Sequence, residues 1–193
     1  MKIAPHALLL APILLTLGAT AAIPQPAPAG AAHYTPSGEL IVPADYRDWT
    51  FLTSGVDMNY SDMPSGMDHQ MVDNVFVDPA SWRVFKTTGS WPDGTVMVKE
   101  GRVGSTKGSI NKAGIFQTEQ RFDLEVHVRD STRFAGNWAF FVNTGDKPAK
   151  PIPASASCYA CHTTHGAVDS TFVQFYPTAR PIAVKAGTFD ASR

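Results

Sequence analysis

The only two cysteines among the 193 residues lie in the segment Cys158-Tyr159-Ala160-Cys161-His162. Each thiol of such a pair can add across a vinyl group of haem to form a thioether, and the histidine that follows can ligate the iron. The spacing suits this chemistry, because the two thiols must reach two vinyl groups on one edge of one porphyrin. We interpret the pentad as the attachment site of one covalent haem c, with His162 as the axial iron ligand.

The pentad also allows two other interpretations. Cys158 and Cys161 could form a small disulfide or a redox pair, although such a pair usually opens a helix after a strand, and here residues 150–157 read as a loop. A structural zinc site requires four ligands, usually from two cysteine pairs. The sequence contains no second pair.

The first residues of the chain favour export. Residues 1–21 read as a bacterial secretory signal peptide, with Lys2 before an apolar run over residues 7–17 and a small-residue cleavage site at Ala19-Thr20-Ala21. The run is shorter than the about 20 residues of a membrane span. An uncleaved N-terminal anchor is the alternative. Export predicts a periplasmic or secreted location, where bacteria attach haem c.

The rest of the chain predicts one domain. Residues 22–37 are rich in Pro and Ala and read as a disordered lead-in, residues 38–183 as the haem domain and residues 184–193 as a flexible tail. The hydrophobic content of 44% is sufficient for a normal core. The net charge of −1, without a basic patch, argues against a nucleic-acid partner.

Alternating and capped segments predict an α+β fold with a mostly antiparallel β-sheet and flanking helices. Asp78-Pro79 predicts a helix start and Gly89 its end. Alternation over residues 121–129 predicts a half-buried strand, with His127 on its wet face. Residues 169–179 predict a short helix or an extended segment on the haem edge. The other predicted strands are residues 71–77, 95–100 and 137–142.

The position of the pentad bears on the sixth iron ligand. Small electron-transfer cytochromes have the haem-binding pentad near the N-terminus and take a methionine from far downstream as the sixth iron ligand. Here residues 163–193 contain none of the six methionines. His165 would lie on the same side as His162. The iron is therefore five-coordinate and open, or takes a ligand from an upstream loop. Residues 58–71 read as such an exposed loop and contain these candidates: Met58, Met63, Met67, His69 and Met71.

Ordered segments along the chain resemble the cytochrome P-460 family, which includes the cytochromes c′-β. The resemblance spans about residues 38–181 and preserves the order of its parts. They are Tyr46-Arg47-Asp48-Trp49, Asn74-Val75-Phe76-Val77-Asp78-Pro79, Thr88-Gly89, Trp91-Pro92-Asp93-Gly94-Thr95-Val96-Met97-Val98-Lys99-Glu100, Gly136-Asn137-Trp138-Ala139-Phe140-Phe141, the pentad, and Phe172-Val173-Gln174-Phe175-Tyr176-Pro177.

The resemblance implies a cytochrome P-460-like domain with one haem, a proximal His162, an open distal face and a homodimer. In one branch of the family, a lysine at the position of Lys99 is cross-linked to the porphyrin, and hydroxylamine is oxidised. The c′-β branch lacks the bond and binds nitric oxide or carbon monoxide. The alternative for Lys99 is an ordinary lysine at a strand end, exposed unless the haem covers its face.

The resemblance also points to the distal side. The hydroxylamine-oxidising branch has an arginine where this chain has Asp73, two residues after Met71. It also has a carboxylate after the pentad, for which Asp169 is the nearest match. Met71, Asp73 and Asp169 are therefore the distal-pocket candidates, although both carboxylates also suit an ordinary cap or loop.

Three functions remain open from the sequence. The first is the oxidation of hydroxylamine or the transformation of small nitrogen oxides, with electrons passed to a redox partner such as another cytochrome. The second is nitric oxide or carbon monoxide binding without turnover. The third is plain electron transfer, with a sixth ligand from the loop at residues 58–71.

Overall fold

A computed structural model describes residues 32–58, 70–110, 112–143 and 147–193. The predicted signal peptide lies outside these residues, as do Met63, Met67 and His69 of the candidate loop. None of the helices in the described ranges is long and apolar enough to cross a membrane.

The main element is a five-stranded antiparallel sheet in which sequential strands are neighbours, as the short connections predict. Strands β5 (Val96–Ser105) and β6 (Phe116–Arg129) extend beyond the predicted segments, and β5 lies at the centre of the sheet. A smaller sheet pairs β1 (His33–Tyr34) with β2 (Leu40–Ile41). The strands of the main sheet are β3 (Thr50–Val56), β4 (Met71–Val77), β5 (Val96–Ser105), β6 (Phe116–Arg129) and β7 (Trp138–Asn143).

Helix α1 (Pro79–Thr88) begins and ends where the sequence predicts. The Asp78 carboxylate accepts a hydrogen bond from the backbone N–H of Ser81 at 2.8 Å and another from that of Val96 at 3.0 Å. Asp78 therefore caps the helix and also ties it to β5. The helix ends at Gly89, whose φ of 69° is left-handed and suits glycine.

We expect an Asp78→Ala variant to lose about 2–4 kcal/mol of unfolding free energy, because the helix loses its cap and the buried Val96 N–H loses its acceptor. Urea unfolding of the haem-loaded protein measures this loss. Asp48→Ala, at an exposed aspartate, is the control and is expected to leave the free energy nearly unchanged. Equal stability of the two variants would refute this role of Asp78.

The two faces of the sheet are buried differently. One face packs against the N-terminal segment through an apolar cluster that includes Leu40, Val96, Val98 and Val126. The opposite face packs against the helices through Met97, Phe140 and other apolar residues, and it also borders a cavity. Polar side chains on this second face therefore need not be exposed to bulk water.

The Tyr46-Arg47 motif has a structural role on the first face. Glu100 is 2% exposed, and its carboxylate accepts hydrogen bonds from the Tyr46 hydroxyl at 2.6 Å and from Arg47 Nε and Nη2 at 3.0 Å. Arg102 also pairs with Glu100. A buried carboxylate requires such partners, and the cluster fastens the N-terminal segment to β5 next to Lys99.

Two further helices complete the domain: α2 (Ser157–His165) and α3 (Arg180–Ala186). Between them, residues 173–175 form one 3-10 turn, and the segment is otherwise extended or irregular.

The expected ends of the domain need correction. Residues 33–34, assigned to the lead-in, pair with β2, so ordered structure begins earlier than residue 38. The tail also packs against the domain. The Thr188 hydroxyl donates to the carbonyl of Gly89 at 2.6 Å, and the N–H of Asp190 donates to the carbonyl of Ala167 at 2.8 Å. These backbone partners hold a segment whose small polar composition had predicted flexibility.

Candidate haem site

Helix α2 carries both cysteines. Cys158 is exposed and Cys161 half-buried, and both thiols are free. Residues three apart on a helix lie on the same side, and both cysteines line a cavity of about 670 Å³ between α2 and the sheet. The volume lies within the about 300–1,000 Å³ typical of ligand and cofactor pockets.

His162 lies at the wall of the same cavity. Its Nδ1 is 2.9 Å from the carbonyl oxygen of Ser170, so Nδ1 carries the proton and donates it, which leaves Nε2 with the lone pair that binds a metal. Burial lowers the pKa of His162, and the nearby His127 lowers it further, to about 4. The imidazole is therefore neutral at neutral pH, as an iron ligand must be.

The carbonyl of Ser170 reaches His162 because the chain turns back sharply after α2. A Cβ added at Gly166 would lie 2.6 Å from the Ser170 carbonyl carbon and 2.7 Å from the His162 carbonyl oxygen, so only glycine fits. Sequence reasoning missed both Gly166 and Ser170. The glycine directly after the helix was the available signal.

Aromatic rings surround the His162 imidazole. The ring centroids of Phe172, Phe140 and His127 lie 4.3, 4.6 and 4.9 Å from its own. Phe140 also stacks on Tyr159 at 4.5 Å. These contacts fix the plane of the imidazole before any cofactor is attached.

Lys99 projects from β5 into the cavity wall, where it is about a quarter exposed. Its Nζ lies 3.3 Å from Glu125, 3.4 Å from Asp73 and 3.5 Å from Asp123. Burial acts to lower the pKa of Lys99, but these three carboxylates outweigh burial and raise it above its ordinary value. Lys99 is therefore a charged ammonium in this arrangement.

The carboxylates of Asp73 and Asp123 can approach Lys99 because β5 has a glycine between the strands β4 and β6 that carry them. Gly101 pairs with Asp73 on one side and Asp123 on the other. A Cβ at Gly101 would lie 2.2 Å from Oδ1 of Asp123, so the carboxylate occupies the space of the missing side chain. Burial raises the pKa of Asp123 despite the opposing charge of Lys99.

Glu125 and His127 form a pair on the same wall, and sequence reasoning did not select either one. His127 was expected to be solvated, but its side chain is 15% exposed and lines the cavity. Its Nε2 lies 3.8 Å from Oε2 of Glu125. Burial would raise the pKa of Glu125, but the nearby His127 imidazole and the charge of Lys99 lower it to about 2. Glu125 is therefore ionised at neutral pH.

The structure separates the three distal-pocket candidates. Asp73 lines the cavity, next to Lys99. Met71 is 6% exposed and is buried outside the cavity lining, because β4 carries it past the end of the cavity. Asp169 pairs with Arg129 and directly precedes Ser170, so it lies on the side of His162 Nδ1 and not on the distal side. Met58, from the upstream loop, does line the cavity.

The residues of this cavity fit a covalent haem. A c-type haem requires two thiols for the thioethers, a histidine nitrogen for the iron and apolar side chains around the ring. The cavity supplies two free thiols on one side of α2, the Nε2 of His162 and several aromatic side chains. A zinc site has less support, because no group of three or more His, Cys, Asp or Glu in the described ranges is arranged to hold a metal ion.

A family comparison agrees with this geometry. The model of the family described as Cytochrome P460 matches residues 43–173, which is more than half of the chain. The chain belongs to the cytochrome P460 family. Membership implies a c-type haem and is consistent with the α+β fold. No curated protein sequence matches the chain.

Proposed function

We propose that this cytochrome P460 family member is an exported haem oxidoreductase with one haem c, which oxidises hydroxylamine or transforms related small nitrogen compounds. The observation that carries the proposal is the Glu125–His127 pair on the cavity wall beside His162. A site that only carries electrons requires no acid–base pair at this place.

The proposed chemistry combines electron and proton transfer. A haem held by Cys158, Cys161 and His162 would supply an iron that accepts electrons from a small ligand at its open face. Oxidation of hydroxylamine also removes protons from N–H and O–H bonds. The Glu125–His127 pair can accept such a proton, because the carboxylate stabilises the charge that arises on the imidazole.

Lys99 contributes charge balance to this wall. The four side chains Lys99, Asp73, Asp123 and Glu125 carry one positive and three negative charges when ionised. Lys99 holds the carboxylates together and leaves the oxygen atoms of Glu125 directed toward both Lys99 and His127. Electrons would leave for a redox partner such as another cytochrome, and a homodimer in the periplasm is the proposed assembly.

The ion pairs of Lys99 support a second candidate function, which is nitric oxide or carbon monoxide binding without turnover. A lysine must lose its proton before its nitrogen can bond to a porphyrin carbon, and the three carboxylates oppose that loss. A lysine without this bond is the state that the resemblance assigns to the gas-binding branch. Val75 and Met97 also give part of the wall an apolar surface.

The second candidate function predicts that Lys99 is unlinked in the haem-loaded protein, whereas the hydroxylamine-oxidising branch carries the cross-link. Trypsin should then cleave after Lys99 and release the peptide of residues 87–99 without haem. Lys99→Ala should have an unchanged haem spectrum, and Lys86→Ala, at an exposed lysine on α1, is the matched control. A haem-bound peptide that contains Lys99 would refute this expectation and place the chain in the cross-linked branch.

Steady-state turnover separates the two candidate functions. The proposed enzyme reduces an added electron acceptor continuously when hydroxylamine is supplied. Tight nitric oxide binding without such turnover would refute the enzyme and leave the gas-binding protein.

A further inference from the structure

The turn at residues 168–171, which presents the Ser170 carbonyl to His162, has an unfavourable backbone. Asp169 has a φ of 50° and Ser170 a φ of 60°, in the left-handed region that non-glycine residues rarely occupy. Two such residues in succession persist only when the surroundings hold them. The surroundings of this turn therefore stabilise it from two sides.

Trp91 holds the turn from inside the core. Its Nε1–H donates a hydrogen bond to the Thr171 hydroxyl at 2.9 Å, and both residues are 2% exposed. The same hydroxyl donates to the carbonyl of Val168 at 2.6 Å, and the N–H of Thr171 donates to that carbonyl at 2.8 Å. The indole of Trp91 is thus part of a buried series of hydrogen bonds that holds Thr171, the residue next to Ser170.

Arg129 holds the turn from its other side. Its guanidinium pairs with Asp169, and its Nε lies 3.6 Å from Asp93, which follows Trp91 by two residues. Asp93 in turn accepts hydrogen bonds from the N–H and hydroxyl of Ser131. The Trp91-Pro92-Asp93-Gly94 segment therefore contributes to both anchors of the turn.

We propose that Trp91 and Arg129 are positioning residues that act through this turn to set the hydrogen bond from His162 Nδ1 to Ser170, and thereby the reduction potential of the haem. A stronger bond at Nδ1 makes Nε2 a better electron donor to iron, which stabilises the ferric state and lowers the potential. The proposal requires His162 as the axial ligand and is independent of the reaction that the haem performs.

The test must separate the hydrogen bond from core packing, because Trp91 also stacks on Phe85 with ring centroids 3.9 Å apart. Trp91→Phe keeps an aromatic ring and removes the N–H donor. Trp82→Phe is the matched control, since Trp82 belongs to the same stack, with its centroid 5.8 Å from that of Phe85 and no hydrogen bond to the turn among the described contacts. Thr171→Val removes the hydroxyl, whereas Thr171→Ser retains it.

The measurements are the midpoint potential of the matured protein by spectroelectrochemistry and the iron–histidine stretching frequency of its ferrous form by resonance Raman. We expect Trp91→Phe and Thr171→Val to raise the potential and lower the stretching frequency. Trp82→Phe and Thr171→Ser should retain both wild-type values. Asp169→Asn weakens the contact of the turn with Arg129 and leaves the core intact, because Asp169 is partly exposed and asparagine tolerates a positive φ. It should shift both values in the same direction.

The proposal would be overturned if Asp169→Asn kept the wild-type potential and stretching frequency, and if whichever of Trp91→Phe and Thr171→Val incorporates haem kept them as well. An equal shift in Trp82→Phe would overturn it as well, because core packing would then account for the effect.

Discussion

A variant in which Cys158 and Cys161 are both replaced by alanine is expected to contain no covalently bound haem after maturation. The two thiols line one side of the cavity and are the only cysteines of the chain, so no other side chain can form the thioethers. Denaturing mass spectrometry of the purified protein measures this directly, because a thioether-bound haem remains on the polypeptide under denaturing conditions.

The single variants and a neighbour serve as controls. Cys158→Ala and Cys161→Ala each retain one thiol and should retain at most one thioether. Ser157→Ala, at the start of the same helix and on the same cavity wall, should carry the full covalent haem. A double variant that still carries covalent haem on a peptide without Lys99 would contradict the assignment of the pentad.

Glu125→Gln is expected to lower the rate of hydroxylamine-dependent acceptor reduction by about 10²–10⁴-fold, the usual contribution of a positioned proton-transfer group. The amide preserves the size of the side chain and removes the charge that His127 and Lys99 contact. Haem content should be unchanged, because Glu125 is not in the attachment segment. Steady-state kinetics normalised to haem provide the measurement.

Glu119→Gln is the matched control for this variant, because Glu119 lies on the same strand at an exposed position. It should retain wild-type turnover. If Glu125→Gln also retained wild-type turnover at equal haem content, the carboxylate would have no part in proton transfer.

The pentad could be singled out from the sequence because the chemistry expected of it depends on local spacing alone, and its role as the haem attachment site stays a prediction. Local patterns also predicted α1, whose cap and terminal glycine lie at fixed offsets, and the core of each long strand. The alternation in β6 predicted a strand with one apolar and one polar face. It could not distinguish a polar face in water from one that borders a cavity, and Glu125 and His127 were missed for that reason.

The corrections at Asp169 and Met71 have a different cause. The side of the imidazole on which Asp169 lies depends on how the chain closes after Gly166, through contacts with Trp91 and Arg129 that are distant in sequence. Whether Met71 reaches the cavity depends on where along β4 the cavity ends. The carboxylates around Lys99 follow from the register of three strands. Local patterns do not specify these long-range arrangements.

The electron paramagnetic resonance spectrum of the ferric protein, recorded with its optical spectrum, tests the central claim of an open iron beside the Glu125–His127 pair. An open iron gives a high-spin, five-coordinate haem c that binds added ligands readily. A low-spin, six-coordinate spectrum would contradict an open iron. Loss of that low-spin spectrum in Met58→Ala would identify the Met58 thioether at the cavity wall as the sixth ligand and the protein as an electron carrier.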